Sequence, residues 1–159
     1  MFKKEIKEEN KSYFGGGVIL YHNDKVLLQK VENKDFWEDF GGRTDNKDKT
    51  IIETSFREAN EESNKILNSE FLEKRLHWQK EKSKKFYQDN LYFIYLIYVS
   101  KTCKEKLKSS LFGNKECHDK INRKVEWISI YDKNLKFHPR IKKPEIIKFI
   151  KECKQVKLK

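Results

Sequence analysis

The sequence predicts an α/β layered domain with a mixed β-sheet, and three observations support this prediction. Strand-like and helix-like patterns follow one another in the order β-β-β-α-β-β-β-α, which is typical of layered α/β domains. Residues 91–100, LYFIYLIYVS, are apolar on both faces and predict the central strand, buried in the sheet interior. A length of 159 residues with 13% aromatic side chains suits one domain with a packed interior.

The first part of the chain predicts a hairpin and then a third strand. Residues 18–21 and 25–29 are strand-like runs on either side of a turn. The triple glycine at 15–17 is not followed by Gly-Lys-Ser/Thr, so it predicts close backbone packing in a strand and not a phosphate-binding loop. Residues 36–40 predict the strand that delivers the next pair of glycines to a helix.

The second part of the chain is less regular. Residues 75–82 predict a strand, and residues 125–131 predict another. Between them, residues 101–119 form a polar excursion that suits a substrate-facing loop. A closing helix is predicted from Pro144, which occupies the first turn. Residues 1–12 are a charged N-terminal lead-in, and residues 13–159 are expected to form a single domain.

The composition limits the classes of partner. Lys and Arg number 36 against 25 Asp and Glu, and the net charge of +11 favours a polyanionic partner such as nucleic acid or nucleotides. Of these 36 cationic residues 31 are lysine, so a compositional bias of the genome is an equal alternative. Neither a signal peptide nor an apolar run of roughly 18 residues is present, which predicts an intracellular, cytoplasmic protein without a membrane partner. Three cysteines without a CxxC pair predict neither a disulfide framework nor a zinc site.

The densest cluster of carboxylates lies in a predicted helix that begins at Thr50, a good N-cap residue. Small and apolar side chains recur on one side of this helix: Ile52, Phe56, Ala59 and Ser63. Glu58, Glu61 and Glu62 stand at i, i+3 and i+4 on the other side, where like charges cost a few tenths of a kcal/mol per pair. A hard divalent cation would relieve this repulsion, since it prefers carboxylate oxygens. The plain alternative is a solvated acidic face.

The surrounding residues favour the metal interpretation, because the whole string resembles the Nudix box. That box has a glycine, five residues, a glutamate, seven residues and then R-E-aliphatic-x-E-E-x-G-aliphatic. The matching positions are Gly42, Arg57, Glu58, Ala59, Glu61 and Glu62. The variant looks most like the Nudix proteins of large DNA viruses. The resemblance also extends to the first hairpin and to Glu126-Trp127, and so covers most of residues 14–150.

The departures from the box concern its two ends. The interval from Gly42 to Arg57 is one residue too long, so Asp48 stands where the first glutamate is expected when counted from the glycine. Counted from the helix, Lys49 occupies that place. The closing glycine is replaced by Asn64, a residue that tolerates the left-handed conformation at a helix end.

The resemblance implies an α/β/α sandwich and a hydrolase that uses Mg²⁺ or Mn²⁺ to cleave a diphosphate linkage in a nucleoside diphosphate derivative. It implies a set of metal ligands, the Gly42 carbonyl, Glu58, Glu61 and Glu62, and Glu58 is also expected to have a catalytic role. Arg57 would orient the glutamates, although a plain i,i+4 pair with Glu53 or Glu61 is the alternative.

Other site residues are expected in loops. A loop acid is expected before the Glu126-Trp127 strand, with Glu116 as first choice for a catalytic role and Asp119 as second. Arg43, Lys47 and Lys49 would bind substrate phosphates. Trp37 would stack on a base or else pack in the core.

Several substrates and one other class of function stay open. The substrate is an RNA 5′ end or cap, as in mRNA decapping, or else a small nucleotide or a diphosphoinositol polyphosphate, and the protein is a monomer or homodimer. The different class is an inactive RNA- or nucleotide-binding module, against which the crowded glutamates argue. A possible RNA track combines four lysines with three aromatic residues. Its members are Lys80, Lys82, Lys84, Lys85, Trp78, Phe86 and Tyr87.

Overall fold

The computed structural model describes residues 5–8, 11–88 and 91–156. The strands in these ranges are β1 (Ile6–Glu8), β2 (Lys11–Tyr13), β3 (Gly15–His22), β4 (Lys25–Val31), β5 (Phe40–Arg43), β6 (Lys84–Gln88), β7 (Tyr92–Tyr98), β8 (Lys115–Glu116) and β9 (Ile121–Ser129). The helices are α1 (Ile51–Glu62), α2 (Ser69–Trp78), α3 (Lys101–Lys106) and α4 (Pro144–Val156). Within these described ranges no helix has the length and apolar character that crossing a membrane requires.

Seven strands form one mixed sheet in the order β6-β7-β3-β4-β9-β8, with β5 added beside β3. The β3–β7 pair is parallel and the other neighbours are antiparallel. The predicted hairpin is confirmed: β3 and β4 pair next to their turn, at Tyr21 opposite Val26. Farther from the turn, β5 pairs with β3 from Gly15 to Val18, so the acidic helix that follows begins beside the glycines.

Helices cover both faces of this sheet. Along β3 the side chains alternate between two buried clusters, as the two-residue period of a strand requires. Val18 and Leu20 join the cluster that contains Phe56 of α1, whereas Ile19 joins the cluster that contains Ile146 of α4. The domain is therefore an α/β/α sandwich, and the predicted fold class is confirmed.

The lead-in contributes to the edge of this domain. Strands β1 and β2 form a separate two-stranded antiparallel sheet in which Ile6 faces Tyr13. Both of these side chains are buried. The carboxylate of Glu8 accepts a hydrogen bond from the backbone N of Ile51 (3.0 Å), one of the amides that the start of α1 leaves free.

The predicted strand at 75–82 is wrong, because these residues form the second half of α2 and the turn after it. The side chain of Asn68 accepts from the backbone N of Phe71 (2.9 Å) and so caps the helix. Leu72 and Leu76, four residues apart, pack on the cluster below α1, and this helical spacing overrides the strand-like pattern. The strand begins at Lys84 instead.

Two other strands are displaced from their predicted places. The run 91–100 contains β7, which is buried as expected, but β7 lies second from the β6 edge, while β3 and β4 occupy the middle of the sheet. The strand expected at 36–40 begins only at Phe40 and includes both following glycines. Trp37 and Glu38 form isolated bridges to other segments.

Candidate active site

Glycines bring α1 against the sheet. A Cβ atom on Gly16 would lie 2.2 Å from Oγ of Ser55, and one on Gly42 would lie 2.4 Å from Oε2 of Glu58. Such contacts are shorter than real Cβ atoms allow, so a larger residue at either position would displace the side chain of Ser55 or of Glu58. The glycines therefore serve the approach of Glu58 to the strand.

The predicted ends of α1 are confirmed by its caps. Oγ1 of Thr50 accepts from the backbone N of Glu53 (3.3 Å). At the other end, Asn64 adopts a left-handed φ of 57°. This is the conformation that a glycine usually supplies after a helix, and asparagine is the next best residue for it.

Glu62 does not lie on a solvated acidic face. Its Oε1 accepts hydrogen bonds from the backbone N of Gly41 (2.7 Å) and from Nε2 of Gln29 (2.9 Å). Burial raises the pKa of Glu62 well above its usual value of 4.5, and the charge of Glu58 raises it further. The helix thus presents one of its three acids to the sheet backbone, which differs from ordinary exposed charge.

Arg57 holds Asp48 with two hydrogen bonds. Nε donates to Oδ1 (3.1 Å) and Nη2 donates to Oδ2 (2.9 Å) of this buried carboxylate. Burial alone would raise the pKa of Asp48, but the hydrogen bonds from Arg57, Thr54 and the Asp45 backbone outweigh it, so the pKa is lowered. Asp48 is thus the acid that binds Arg57, and its replacement of the box's first glutamate stays a prediction.

The same guanidinium reaches the acids of α1. Nη1 of Arg57 lies 2.9 Å from Oε1 of Glu58 and 3.4 Å from the carboxylate oxygens of Glu61. Nη2 also donates to the carbonyl of Arg43 (2.9 Å). Burial raises the pKa of Glu58, and the positive charge of Arg57 opposes that rise. The contacts of Arg57 thus exceed a plain i,i+4 pair, and its role in orienting the glutamates stays a prediction.

The loop acids occupy different positions from those expected. Glu116 is 4% exposed, and its two oxygens accept from the backbone N atoms of His118 and Asp119, each at 2.8 Å. The carboxylate of Glu116 therefore stabilises the turn formed by the residues that follow it. Asp119 is exposed, and its charge adds to the rise in the pKa of Glu58 that burial mainly causes. The arrangement leaves Asp119, the second choice, as the exposed acid of this loop.

A cleft of about 360 Å³ separates this loop from the end of α1. Oε2 of Glu61 lies there, 3.7 Å from Nε2 of His118. Cys117 lines the same cleft. The glutamates Glu58, Glu61 and Glu62 of α1 are called the acid set below. Glu61 is thus the member of this set that is open to a ligand from the loop side.

The predicted substrate-binding residues divide into two groups. Arg43 is exposed at the end of β5, and Lys47 and Lys49 are exposed on the loop that follows, where phosphate binding stays a prediction. Trp37 is 6% exposed and packs in the cluster beneath α4. Its ring is therefore part of the core, which was the alternative to base stacking.

Three polar residues of the site were not predicted. The side chain of Asn64 donates to the carbonyls of Phe112 and Lys115 (both 2.8 Å) and accepts from the backbone N of Cys117 (2.8 Å). Gln29 binds Glu62, and Nη2 of Arg123 donates to the Glu62 carbonyl (3.0 Å). The signal for Asn64 was its departure from the box. The other two contacts join distant parts of the chain and have no local signal.

A buried charged network lies beneath β5. Asp39 accepts from Nε of Arg140 (2.7 Å) and from the hydroxyl of Tyr92 (2.7 Å). The guanidinium of Arg140 also lies over the Tyr92 ring, 4.4 Å from its centre. The negative charge of Asp39 adds to the raised pKa of Glu62, which burial mainly causes. This network supports the strand on which the acid set rests.

The donor set was tested against a divalent cation. Three glutamates within one turn of α1 supply the oxygen donors that Mg²⁺ and Mn²⁺ prefer, so the residues fit in chemistry. As the side chains stand, no group of three or more His, Cys, Asp or Glu among the described residues is placed to hold a metal ion. Arg57 instead neutralises Glu58 and Glu61.

The fold and the acid set define an α/β/α sandwich in which an acidic helix is packed on a glycine-rich strand. Similar solved structures include a bifunctional NMN adenylyltransferase/ADP-ribose pyrophosphatase from Francisella tularensis, with 22% identity and a TM-score of 0.46 over 76% of this chain and 34% of that one. Another structure of that bifunctional enzyme, complexed with AMP and a manganese ion, has 20% identity and a TM-score of 0.46 over 91% of this chain and 38% of that one.

A third similar structure is a MutT, from a study of the fish pathogen Aliivibrio salmonicida and of Vibrio cholerae. It has 18% identity and a TM-score of 0.45 over 86% of this chain and 93% of that chain. The present chain thus spans only 34–38% of the length of the Francisella enzyme. No protein-family profile and no curated protein matches the sequence. At these identities the likeness concerns the fold, so the activity has to follow from the chain's own residues.

Proposed function

We propose that this chain is a Nudix-type hydrolase that depends on Mg²⁺ or Mn²⁺ and cleaves a diphosphate linkage in a nucleoside diphosphate derivative. The observation that carries the proposal is the acid set of α1, in which Glu62 is bound to the β5 backbone and Arg57 is bound to Asp48. A buried carboxylate is costly unless it is paired, hydrogen-bonded or bound to a cation, and a cluster of carboxylates with perturbed pKa values is typical of functional sites. A fold kept only for binding has no need of them.

The proposed metal ligands are the carboxylates of Glu58, Glu61 and Glu62 and the carbonyl of Gly42. When bound, the ion neutralises charge on the phosphate oxygens and lowers the pKa of a bound water. The pair with Asp48 fixes the Arg57 guanidinium on the side of α1 that is partly exposed to solvent. Gln29 and the Gly41 amide fix Glu62 on the side of α1 that packs against the sheet.

The remaining roles belong to the loops. Asp119 is proposed as the base that takes the proton of the attacking water, because its charge is within reach of Glu58. Glu116 holds the turn that presents Asp119. Arg43, Lys47 and Lys49 are proposed to bind phosphate oxygens of the substrate, as exposed cations beside the acid set.

The substrate falls in one of two classes, an RNA 5′ end or cap, or a small nucleotide or diphosphoinositol polyphosphate. The finer likeness of the box to Nudix proteins of large DNA viruses stays a prediction. The names of the similar structures add ADP-ribose to the small molecules worth testing.

A substrate panel tests the proposal. The full chain would be incubated with ADP-ribose, nucleoside triphosphates, a diphosphoinositol polyphosphate, 5′-triphosphorylated RNA and capped RNA, each with Mg²⁺, Mn²⁺ or EDTA. We expect metal-dependent release of a phosphate-bearing product from at least one of them. Glu61→Gln should reduce that rate at least about tenfold, which is roughly 1.4 kcal/mol of barrier.

The matched control is Glu73→Gln, which removes an exposed glutamate from α2. It should leave the rate unchanged. If no panel member is cleaved with either metal while the folded chain binds one of them, the inactive binding module replaces the hydrolase. Wild-type turnover in Glu61→Gln would remove the acid set from the mechanism.

A further inference from the structure

A cavity of about 640 Å³ lies outside the acid set, at the end of β4 and the start of β9. Its wall is formed by residues 30–35, residues 122–124 and Asn114. The volume is in the range of about 300–1,000 Å³ that is usual for small-molecule sites. The proposed hydrolysis uses none of these residues.

Two lysines face each other in this wall. Lys30 of β4 stands directly opposite Lys124 of β9 in the strand register. Like charges directly opposite on paired strands destabilise a sheet. In the registers of the described strands, no other position opposes two lysine or arginine side chains. A general excess of lysine does not account for placing one such pair at the mouth of a cavity.

Two acids line the cavity, Glu32 and Asp35, and in the described ranges neither forms an ion pair with these lysines. Asp35 lines the cavity and is influenced by Lys30, but its carboxylate is paired with Lys136 (3.1 Å). Lys34 is itself paired with Glu38 (3.0 Å). Within the described ranges, neither Lys30 nor Lys124 has an ion-pair partner. The two ammonium groups are therefore available to an anion.

A buried guanidinium adds to the positive potential. Arg123 lines the cavity and is 3% exposed. Its Nη atoms donate to the carbonyls of Glu62, Phe112 and Gly113, whereas its buried Nε has no hydrogen-bond partner among the described residues. Because Nε is enclosed, Arg123 contributes to the cavity through its positive charge and not through a hydrogen bond from this atom.

The remaining lining contains one acid, Glu32, whose Oε2 accepts from Nδ2 of Asn122 (3.4 Å), and three asparagines. The side-chain amides of Asn33, Asn114 and Asn122 offer both donors and acceptors beside the cations. Such groups recognise hydroxyls and base edges, whereas the lysines recognise phosphate. The combination fits a ligand with a phosphate at one end and a neutral polar body at the other.

We propose that this cavity is a binding site for a nucleotide-class ligand, with Lys30 and Lys124 holding its phosphate group. The site is separate from the acid set but adjoins it, since Arg123 contacts the carbonyl of Glu62 at the end of α1. Binding there does not depend on the proposed hydrolysis.

Calorimetry on the full chain in EDTA tests the proposal without turnover. The titrants are AMP, adenosine and inorganic phosphate. We expect AMP to bind at least tenfold more tightly than either of the other two, because both halves of the site are then filled. Equal affinity for AMP and adenosine would overturn the role of the phosphate, and equal affinity for AMP and phosphate would overturn the nucleotide class.

Three lysine substitutions locate the site. Lys30→Gln and Lys124→Gln should each weaken AMP binding at least fivefold. Lys25→Gln is the matched control: it lies on the same strand, is exposed, and faces Ser129. It should bind AMP as the wild type does. If all three variants bind AMP equally well, the ligand is not held by this pair.

Reversing the charge at position 124 distinguishes AMP binding from the repulsion between Lys30 and Lys124. Lys124→Glu places an acid opposite Lys30, so in EDTA it should raise the thermal unfolding midpoint by roughly 1–3 °C. It should also abolish AMP binding. A more stable variant that no longer binds AMP supports the proposal, and one that still binds AMP contradicts it. A lowered midpoint would contradict the repulsive pair on which the proposal rests.

Discussion

At the residue scale, Asn64 combines two properties that a glycine in its place would not combine. Its backbone accepts the left-handed conformation after α1, with φ at 57°. Its amide also makes three hydrogen bonds to the backbone between Phe112 and Cys117. The loop that carries Asp119 is thereby fastened to the helix that carries the acid set. We therefore interpret this departure from the box as a replacement of flexibility by a fixed contact.

Asn64→Gly tests this interpretation, because it keeps the backbone conformation and removes the three hydrogen bonds. We expect faster amide hydrogen exchange over residues 112–119 and at least about threefold lower turnover on the substrate found in the panel. Asn23→Gly is the matched control. It has the same left-handed backbone, with φ at 54°, and no side-chain hydrogen bond in the described part of the chain. Equal exchange rates in the two variants would contradict the contact.

The two loop acids should respond oppositely to neutralisation. Asp119→Asn should reduce turnover at least about tenfold with little change in the free energy of unfolding, since the side chain is exposed. Glu116→Gln should instead lower the free energy of unfolding by about 1–3 kcal/mol, because its carboxylate binds two backbone amides. Urea denaturation and steady-state rates measure both effects. A Glu116→Gln variant that is fully stable but inactive would return the catalytic role to Glu116.

At the element scale, the packing of α1 on β5 sets the protonation of the acid set. Glu62 is bound to the Gly41 amide in a buried site, and its pKa is raised well above 4.5 by burial and by the charge of Glu58. Asp48, bound to Arg57, has a lowered pKa despite its burial. Helix α1 therefore contains one acid that resists ionisation, and the loop before it contains another whose partner favours ionisation.

These opposite shifts predict opposite dependences of stability on pH in EDTA. For Glu62 the folded-state pKa is above the unfolded value, so its contribution is present below about pH 4.5 and is lost as pH rises through the folded pKa. Glu62→Gln should therefore be more stable than the wild type at pH 7, and this difference should disappear near pH 4. Thermal unfolding between pH 3 and pH 8 measures it.

Asp48→Asn is the internal comparison. The folded pKa of Asp48 is lowered, so its contribution is present above its usual value of 3.8 and is lost as pH falls through the folded pKa. This variant should be less stable than the wild type at pH 7 and should approach it in strong acid. If both variants shift stability in the same direction at pH 7, the proposed protonation pattern is wrong.

Local patterns predicted the elements whose periods are undisturbed. The hairpin of β3 and β4, helix α1 and its caps follow from alternation, from the 3.6-residue period and from Thr50. Helix α2 was missed because its apolar residues are few and the cap at Asn68 was not recognised. Side chains that meet across the chain had no local signal, as with Asp39 and Arg140, which are 101 positions apart. The residues that α1 contributes to the site were thus predictable from the sequence, whereas their contacts with distant segments of the chain were not.

At the scale of the whole molecule, the net charge of +11 comes from lysines throughout the chain, and two basic features among them differ in position. The cavity of Lys30 and Lys124 adjoins the acid set. The segment from Lys80 to Lys85 leads into the edge strand β6, where Lys84 pairs with Leu96, whereas the glycines of β3 begin opposite Tyr92. This segment therefore starts near the end of the sheet remote from the acid set.

The aromatic part of the predicted RNA track is smaller than the sequence suggested. Phe86 is buried, so its ring packs in the core and has no face for a base. Trp78 is 64% exposed, although the guanidinium of Arg75 lies over it, 5.2 Å from the ring centre. Any contribution to RNA binding from this segment has to come mainly from its lysines.

Neutralising Lys80, Lys82, Lys84 and Lys85 together to Gln tests whether the basic charge is functional. If these lysines contact phosphates, the variant should bind capped or 5′-phosphorylated RNA more weakly, and its salt slope should flatten by up to about 3 units, at roughly 0.7 per phosphate contact. Hydrolysis of a mononucleotide substrate should hardly change.

The matched control neutralises four exposed lysines elsewhere, Lys101, Lys106, Lys108 and Lys133. If both variants lower RNA affinity equally, only net charge matters. If neither changes it, the lysine content is better explained by genomic bias, and a small-molecule substrate becomes the stronger interpretation.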